Sequence, residues 1–228
     1  MNSVNQTNHI SSFTARLLRE RFGKGPESVQ VSLSHNCISL HFRNFMNPVE
    51  QHLINEKEEK VFRRTRELLM KSLLPELTVF MERELGVVIR ELYYDWGIHH
   101  TNGMIVALLD EFHLESKYSE DYPGRNEIHA KVIDVSERVQ KAPERMDSWW
   151  VNPKTLIIYR QGILLLLEKE MISMGYDLEL KTAKRKLEKQ FLVEAAADPL
   201  VSGKEMSDVF VDWDFERDQS IIAYTFVS

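Results

Sequence analysis

The chain has 228 residues, which is enough for one large domain or for two small domains that each bury a modest core. Its 29 basic and 35 acidic side chains give a net charge of −6, which argues against a nucleic-acid-binding protein that works through overall charge. The single cysteine, Cys37, excludes an internal disulfide and a thiolate metal cluster, and it favours a reducing cytoplasm.

The hydrophobicity pattern predicts a soluble or at most peripheral protein. The N-terminal "MNSVNQTNH" lacks the basic and apolar regions of a signal peptide. The longest aliphatic run, Ile163–Leu167, is far too short to span a bilayer.

The first predicted unit covers residues 10–110 and follows a tail at residues 1–9 that we expect to be disordered. A helix is predicted at Ile10–Phe22, because Gly23 is a common residue just after a helix end. Two strands joined by a His-Asn turn follow in "GPESVQVSLSHNCISLHF".

A long helix is predicted next, over Pro48–Leu85, and Pro75 predicts a kink or a break into two helices. The stretch "LYYDWGIHH" from Leu92 then alternates as a strand, and a second strand at Met104–Leu109 completes a hairpin.

The second predicted unit covers residues 126–228 and follows an acidic linker at residues 111–125. It contains a helix near Glu127–Lys141, a hairpin in "NPKTLIIYRQGILLLLE", a helix near Leu178–Ala197 and a final hairpin that begins with "VFVDWDFER". In this interpretation Ile163–Leu167 is a strand that is apolar on both faces, which implies that both of its sides are covered.

Repeated residues align the two units with each other. The Asp-Trp pair recurs as Asp95-Trp96 and Asp212-Trp213, at an offset of 117 residues. Matching Pro26 to Pro153 gives an offset of 127 residues, which predicts that the second unit is ten residues shorter, mainly in its helical segment. The sequence therefore predicts an α+β fold of two tandem α-β-β-α-β-β units, each a four-stranded, largely antiparallel sheet with helices on one face.

A family resemblance rests on "GKGPESVQVSLSHNCISLHFRNFMNPVEQHLI", on the Arg-rich helix that follows, and on "ELGVVIRELYYDW". These motifs resemble the MpsC-type domain of bacilli and related bacteria, named after a sodium-translocating membrane-potential-generating system. The second unit resembles a degenerate member, because it lacks "GKGP". The resemblance implies a soluble bacterial accessory protein linked to membrane ion or bicarbonate transport, and it supplies no catalytic residues.

The repeated Asp-Trp pairs have two interpretations. Asp95 and Asp212 are candidate general acids or bases, although a shared fold also requires such residues, for instance to bond a neighbouring backbone N–H. Trp96 and Trp213 are expected to be core anchors, with ligand stacking as the alternative.

Other candidate residues favour structural roles. Cys37 lacks a base nearby in the sequence and is expected to be a small buried hydrophobe rather than a nucleophile. His99 and His100 are expected to be solvated turn residues rather than metal ligands. The "GKGP" motif reads as a helix cap and turn rather than an anion cradle. The Trp149-Trp150 pair fits an exposed partner anchor and a strand extension equally well.

Two basic helical faces are the candidate binding surfaces. The structural explanation is that each face is simply exposed to solvent. The functional interpretation is that the cations dock to an anion, an acidic partner or a lipid headgroup surface. The cations are Lys60, Arg63, Arg64 and Lys71 in the first unit and Lys181, Lys184, Arg185 and Lys189 in the second.

Three functions are ranked on these features. The first is a non-enzymatic accessory or regulatory protein that binds a protein partner such as a membrane transport component. The second is a sensor that holds an anion or small metabolite between the two units. The third is a hydrolase that uses Asp95 or Asp212. We expect no metal or cofactor, no nucleic acid, and a cytoplasmic location that includes the inner face of the membrane. The chain is expected to form a homodimer or, alternatively, to mimic one as a monomer.

Overall fold

The computed structural model describes residues 3–34, 36–110, 121–196 and 204–227. Residues 1–2 of the predicted tail and residues 111–120 of the predicted linker lie outside this description. The chain divides into two compact units, of which the first comprises Met1–Leu92 and Trp96–Phe112 and the second comprises Tyr93–Asp95 and His113–Ser228.

The first unit builds a four-stranded sheet in the order β1-β2-β4-β3. The β1–β2 and β2–β4 pairs are antiparallel, and Leu33 lies opposite Ile38 in the first of them. The elements in chain order are α1 (Ser3–Phe22), β1 (Ser28–Leu33), β2 (Cys37–Arg43), α2 (Pro48–Asn55), α3 (Glu59–Leu85), β3 (Ile89–Gly97) and β4 (Asn102–Leu109). The Tyr93–Asp95 stretch of β3 belongs to the second unit.

Helix α1 begins at Ser3 rather than at Ile10, so residues 3–9 of the predicted tail are helical. Contacts with the end of α3 explain this longer helix. Gln6 Nε2 donates to the carbonyl oxygen of Glu84 at 2.7 Å, and His9 Nδ1 lies 2.9 Å from Glu84 Oε1. The helix ends as predicted before Gly23, whose φ of 73° is the left-handed conformation that glycine adopts readily.

The predicted long helix is two helices, but the break does not occur at Pro75. Helix α2 ends at Asn55, and Lys57 has a φ of 62° in the turn before α3. Pro75 lies inside the continuous helix α3. Pro75 and Lys71, whose carbonyl loses its helical donor, are both exposed, so water can take the place of the missing N–H.

The second unit repeats this strand order, as β5-β6-β8-β7. All its pairs are antiparallel. The elements are α4 (Arg125–Val139), β5 (Arg145–Asn152), β6 (Thr155–Gln161), α5 (Leu166–Ser173), α6 (Asp177–Ala196), β7 (Met206–Asp214) and β8 (Gln219–Phe226). The predicted α+β fold of two similar units, each with a four-stranded antiparallel sheet, is confirmed.

The hairpin predicted across Gln161 and Gly162 is wrong, and so is the strand predicted at Ile163–Leu167. Strand β6 ends at Gln161, Gly162 has a φ of 72°, and the second half of the aliphatic run begins α5. Leu166 and Leu167 are 87% and 71% exposed, so this run is not covered on both sides. A short apolar run does not distinguish a buried strand from a helix start.

The predicted shortening of the second unit is also wrong. Pro26 lies two residues before β1, and its structural counterpart is Pro143, two residues before β5, rather than Pro153. This pair has the same offset of 117 residues as Asp95 and Asp212. The final hairpin turns agree, since Thr101 and Asp218 both have a φ of 52°.

Candidate functional site

The repeated aspartates make matching hydrogen bonds inside the second unit. Asp95 Oδ2 accepts the backbone N–H of Val211 at 2.9 Å, and Asp212 Oδ2 accepts the backbone N–H of Tyr94 at 2.9 Å. Each donor is the residue just before the other aspartate, so the two bonds are equivalent in pattern. Both aspartates are buried. These contacts are those of the structural role that the sequence analysis weighed against acid–base catalysis.

Three cations of α6 surround the two carboxylates. Arg185 joins them, with Nε 2.8 Å from Asp95 Oδ1 and Nη2 3.1 Å from Asp212 Oδ1. Lys189 Nζ lies 2.5 Å from Asp95 Oδ2, and Lys181 Nζ lies 2.8 Å from Asp212 Oδ1. The spacing of four residues places all three cations on one side of the helix. These predicted binding cations are therefore engaged in ion pairs within the second unit.

Lys184, the fourth predicted cation of α6, lies in a separate buried contact. Its Nζ is 2.7 Å from Glu168 Oε1 and also donates to Gln140 Oε1, and its side chain is 3% exposed. Burial lowers the pKa of Lys184, an effect that Glu188 and Glu168 oppose. Lys184 is consequently directed into the unit rather than towards a ligand in solvent.

A second ion pair in this unit is completely buried. Arg160 Nη2 lies 2.6 Å from Glu188 Oε2, and both side chains are 0% exposed. Arg160 also donates to the hydroxyls of Ser136 at 2.9 Å and Ser220 at 3.0 Å. The guanidinium is thus tied to α4, α6 and β8, which fixes these elements around β6.

The first unit buries one arginine among aromatic rings. Arg66 makes a bidentate pair with Glu50, through Nε at 2.7 Å and Nη2 at 2.8 Å, and donates to the carbonyl oxygen of Phe45 at 2.7 Å. Its guanidinium lies 4.2 Å from the ring centre of Trp96. Three more rings lie within cation–π range, those of Phe22, Phe45 and Phe62. Trp96 is accordingly part of the core of the first unit.

The buried cations of α3 and α6 are each paired with a glutamate at the same position of the preceding short helix. Glu50 is the third residue of α2, and Glu168 is the third residue of α5. Arg66 and Lys184 each follow their glutamate by sixteen residues. Trp213, whose ring centre lies 5.9 Å from Lys184 Nζ, is buried in the core of the second unit. The two pairs therefore occupy equivalent positions in the two units.

The outer face of α3 carries a continuous uncharged stripe. Its members alternate in spacing between four and three residues, and all are exposed. The α3 stripe consists of Val61, Thr65, Leu68, Ser72, Pro75 and Val79. Leu68 and Val79 are 62% and 64% exposed. Such spacing keeps every member on one side of an α-helix and is typical of a helix-packing seam.

Three of the four predicted cations of α3 lie along one border of the α3 stripe. Lys60, Arg64 and Lys71 are exposed. Arg63 is less accessible, because its side chain is only 9% exposed, and its Nε lies 2.7 Å from Glu59 Oε1. Of the eight predicted cations, three are thus exposed on α3, whereas Arg63 and the four cations of α6 are partly or fully buried.

The remaining single-residue candidates lie in structural positions. Cys37 is fully buried, and His99 and His100 are exposed at the β3–β4 turn. Lys24 of the "GKGP" motif donates to the carbonyl oxygen of Met46 at 2.9 Å, which ties the end of α1 to the start of α2.

The Trp149-Trp150 pair lies within β5. Trp149 is buried, and Trp150 packs against Tyr122 and Phe226 with ring centres 6.0 Å and 5.3 Å away. Both tryptophans therefore contribute to the second unit rather than projecting from it.

Sequence reasoning missed a hydrogen-bonded cluster of His129, Ser148 and Tyr122. Ser148 Oγ lies 2.6 Å from His129 Nε2 and 2.7 Å from the Tyr122 hydroxyl. Burial lowers the pKa of His129, with a further lowering by Arg125. Ser148 is completely buried, so its hydroxyl is not exposed to solvent. Nothing in the local sequence predicts this cluster, because its members come from three separate segments.

Two further properties concern only the described parts of the chain. Within residues 3–34, 36–110, 121–196 and 204–227, no three His, Cys, Asp or Glu side chains converge as a metal site. In the same ranges, none of the helices combines the length and hydrophobicity needed to cross a bilayer.

Comparison with protein families gives a match over residues 4–111, to the family described as "Na+-translocating membrane potential-generating system (MpsC)". The predicted MpsC-type region is confirmed. This MpsC region extends from the second residue of α1 to beyond the end of β4. Comparison with the curated proteins gave no match, and comparison with the solved structures gave none. That the second unit is a degenerate MpsC member stays a prediction, since the matched range ends at residue 111.

Proposed function

We propose that this protein is a non-enzymatic accessory or regulatory protein of a bacterial membrane ion or bicarbonate transport system. The observation that carries the proposal is the MpsC match over residues 4–111, since the family description names a sodium-translocating, potential-generating system. In this proposal the protein resides in the cytoplasm and acts at the inner face of the membrane.

The surroundings of the acid–base candidates Asp95 and Asp212 support a non-catalytic role. The carboxylates of Asp95 and Asp212 are buried and hold α6 cations and strand amides. A general base must reach the proton that it removes. Carboxylates held in this way stabilise the fold instead. Three predicted cations of α6 are directed to these carboxylates and the fourth to Glu168. The exposed cations of α3 are therefore the better candidates for contact with a partner.

A capture experiment in the source bacterium tests the proposal. Tagged full-length protein is crosslinked in cells and purified from the membrane fraction, and transport proteins are quantified by mass spectrometry. We expect an ion or bicarbonate transport component to be enriched at least about tenfold over an unrelated tagged cytoplasmic protein. Recovery without such enrichment rejects the proposed accessory role.

A physiological measurement provides the second arm. Deleting the gene is expected to reduce the sodium-dependent part of the membrane potential, and expression of the intact chain is expected to restore it. Restoration by a chain with Ser148→Ala and Cys37→Ala is also expected, because neither side chain carries chemistry in this proposal. A folded double variant that fails to restore the potential argues for an enzyme.

A further inference from the structure

The α3 stripe is unusual for the exposed face of a long helix. It runs over 19 residues, from Val61 to Val79, without a charged member, and its ends are about 27 Å apart along the helix axis. An exposed helix face normally carries charged residues, and an uncharged row at alternating spacings of four and three is the pattern of a helix that packs against another helix.

The hydroxyl groups of the stripe are already hydrogen-bonded within α3 and need no polar group from a partner. Thr65 Oγ1 donates to the carbonyl oxygen of Val61 at 2.9 Å, and Ser72 Oγ donates to the carbonyl oxygen of Leu69 at 2.8 Å. Both hydroxyls are thus bonded to the backbone of their own helix. Together with Leu68 and Val79, the stripe presents a low, mostly apolar ridge that allows close helix–helix approach.

The corresponding face of α6 provides a comparison within the same chain. At positions equivalent to Val61 and Leu68, counted from the buried cations Arg66 and Lys184, α6 carries Glu179 and Lys186. Both of these charged residues are exposed. The uncharged stripe is therefore a property of α3 and is not a requirement of the shared fold.

The charges beside the stripe specify its partner. Lys60, Arg64 and Lys71 follow one border at helical spacing. In an antiparallel pair with a second copy of α3, the two basic borders would lie on the same side of the seam, which is unfavourable. An acidic border on the partner would complement them and direct association. The exposed side of the helix lacks the tryptophan and tyrosine that anchor interfacial helices in lipid, which favours a protein partner.

We propose that the α3 stripe is a docking site for an amphipathic helix of a partner protein, with apolar residues at three- and four-residue spacing and glutamate or aspartate along one edge. This inference deepens the proposed accessory role and rests on it, because it names the chemistry by which a transport component would be held.

Direct binding with a synthetic probe tests the site. The probe is a helical peptide of about four heptads with leucine and alanine in the seam and glutamate along its borders. We expect a Kd of about 10 µM for the full-length protein, and at least about tenfold weaker binding of the same peptide with lysine borders. Higher salt is expected to weaken the first interaction. Absence of binding, or equal affinity for both peptides, overturns the proposal.

Two variants locate the interaction on α3. Leu68→Ser and Arg64→Glu are each expected to weaken binding about tenfold or more. Leu187→Ser and Lys186→Glu are the matched controls, because they make a Leu→Ser change and a charge reversal at exposed positions of α6, and they should bind normally. Unchanged thermal unfolding of all four variants separates docking from folding. Equal losses in α3 and α6 variants contradict the assignment.

The alternative occupants and the proposed function are tested separately. Vesicles of phosphatidylglycerol that bind the protein, with loss in Leu68→Ser, overturn the helix partner in favour of lipid. A dimer in sedimentation that Leu68→Ser abolishes overturns it in favour of a second copy. Native capture of a transport component that Leu68→Ser leaves intact rejects this docking site and keeps the accessory role. Peptide binding without capture of a transport component keeps the site and rejects that role.

Discussion

Helices α3 and α6 occupy the same place in their units but orient their cations differently. Helix α3 buries Arg66 among aromatic rings and exposes Lys60, Arg64 and Lys71. Helix α6 buries Lys184 and directs its other predicted cations to the carboxylates of the second unit. The same strand order therefore supports an outward basic border in one unit and an inward ionic network in the other.

The interiors beside these helices differ in the same way. Phe42 is the sixth residue of β2, and the sixth residue of β6 is Arg160. Met70 follows the buried cation of α3 by four residues, as Glu188 follows that of α6. A pair of apolar residues and a buried ion pair thus fill equivalent positions. A buried ion pair is seldom more stabilising than well-packed apolar residues. Replacing the ion pair of the second unit by the apolar residues of the first therefore tests whether the two interiors are equivalent.

The largest expected effect comes from breaking the buried pair of the second unit. Glu188→Met leaves the Arg160 guanidinium buried without its carboxylate and should lower the free energy of unfolding by about 4 kcal/mol. Adding Arg160→Phe, which copies the first unit, should recover at least about 2 kcal/mol. Urea unfolding followed by circular dichroism measures both. A double variant no more stable than Glu188→Met contradicts the equivalence of the two interiors.

The aspartate pair should respond with a crossed pattern of amide exchange. Asp95→Ala and Asp212→Ala are each expected to lower the free energy of unfolding by about 3 kcal/mol, because α6 cations lose a buried partner. Asp95→Ala should also accelerate hydrogen exchange at the Val211 N–H, and Asp212→Ala at the Tyr94 N–H.

Asp134→Ala, an exposed change on α4, is the control for the aspartate variants and should alter stability by less than about 0.5 kcal/mol. Exchange measured by NMR that rises equally at both amides in either variant would argue for general loosening instead of two specific bonds.

A histidine of the first unit predicts loss of stability in acid. Burial, aided by Arg43, lowers the pKa of His41 from 6.5 to about 4, so the folded state favours the neutral ring. Below pH 6.5 the unfolded chain binds the proton first, and stability present above that pH is lost down to pH 4, by up to about 3 kcal/mol.

Urea unfolding at pH 7 and pH 4 measures this loss, and His41→Gln should reduce the difference between the two values. His52→Gln, an exposed change on α2, should leave the difference as in the parent chain. A His41→Gln chain with the full acid sensitivity excludes His41 as its source.

The smallest effect concerns the buried cation of α3. Arg66→Lys keeps the charge but loses the bidentate contact with Glu50 and the guanidinium's cation–π contact with Trp96. It should cost about 2 kcal/mol. Arg64→Lys, on the exposed side of the same helix, should change stability by less than about 0.5 kcal/mol. Thermal unfolding compares the two. An equal loss of stability in the two variants would show that the aromatic contacts of Arg66 do not contribute to stability.

The sequence predicted the elements that local signals define. Gly23 marked the end of α1, and the alternation around Asp95-Trp96 and Asp212-Trp213 located β3 and β7. The aliphatic run at Ile163–Leu167 misled, because Ile163 and Leu164 are buried after the end of β6, whereas Leu166 and Leu167 begin α5. Periodicity over so few residues is ambiguous between strand and helix.

Sequence alone determined the α+β class, the two similar units and the MpsC region, since these follow from alternation, turn residues and motifs that are contiguous in the chain. Only the tertiary structure decided which cations are buried. Helical spacing placed Lys60 and Lys181 on basic faces alike. However, the carboxylate that holds Lys181 lies 31 residues away, and one of the two carboxylates that hold Arg185 lies 90 residues away. The periodicity of an α-helix determines which side chains share a face, whereas the tertiary fold determines which residues that face contacts.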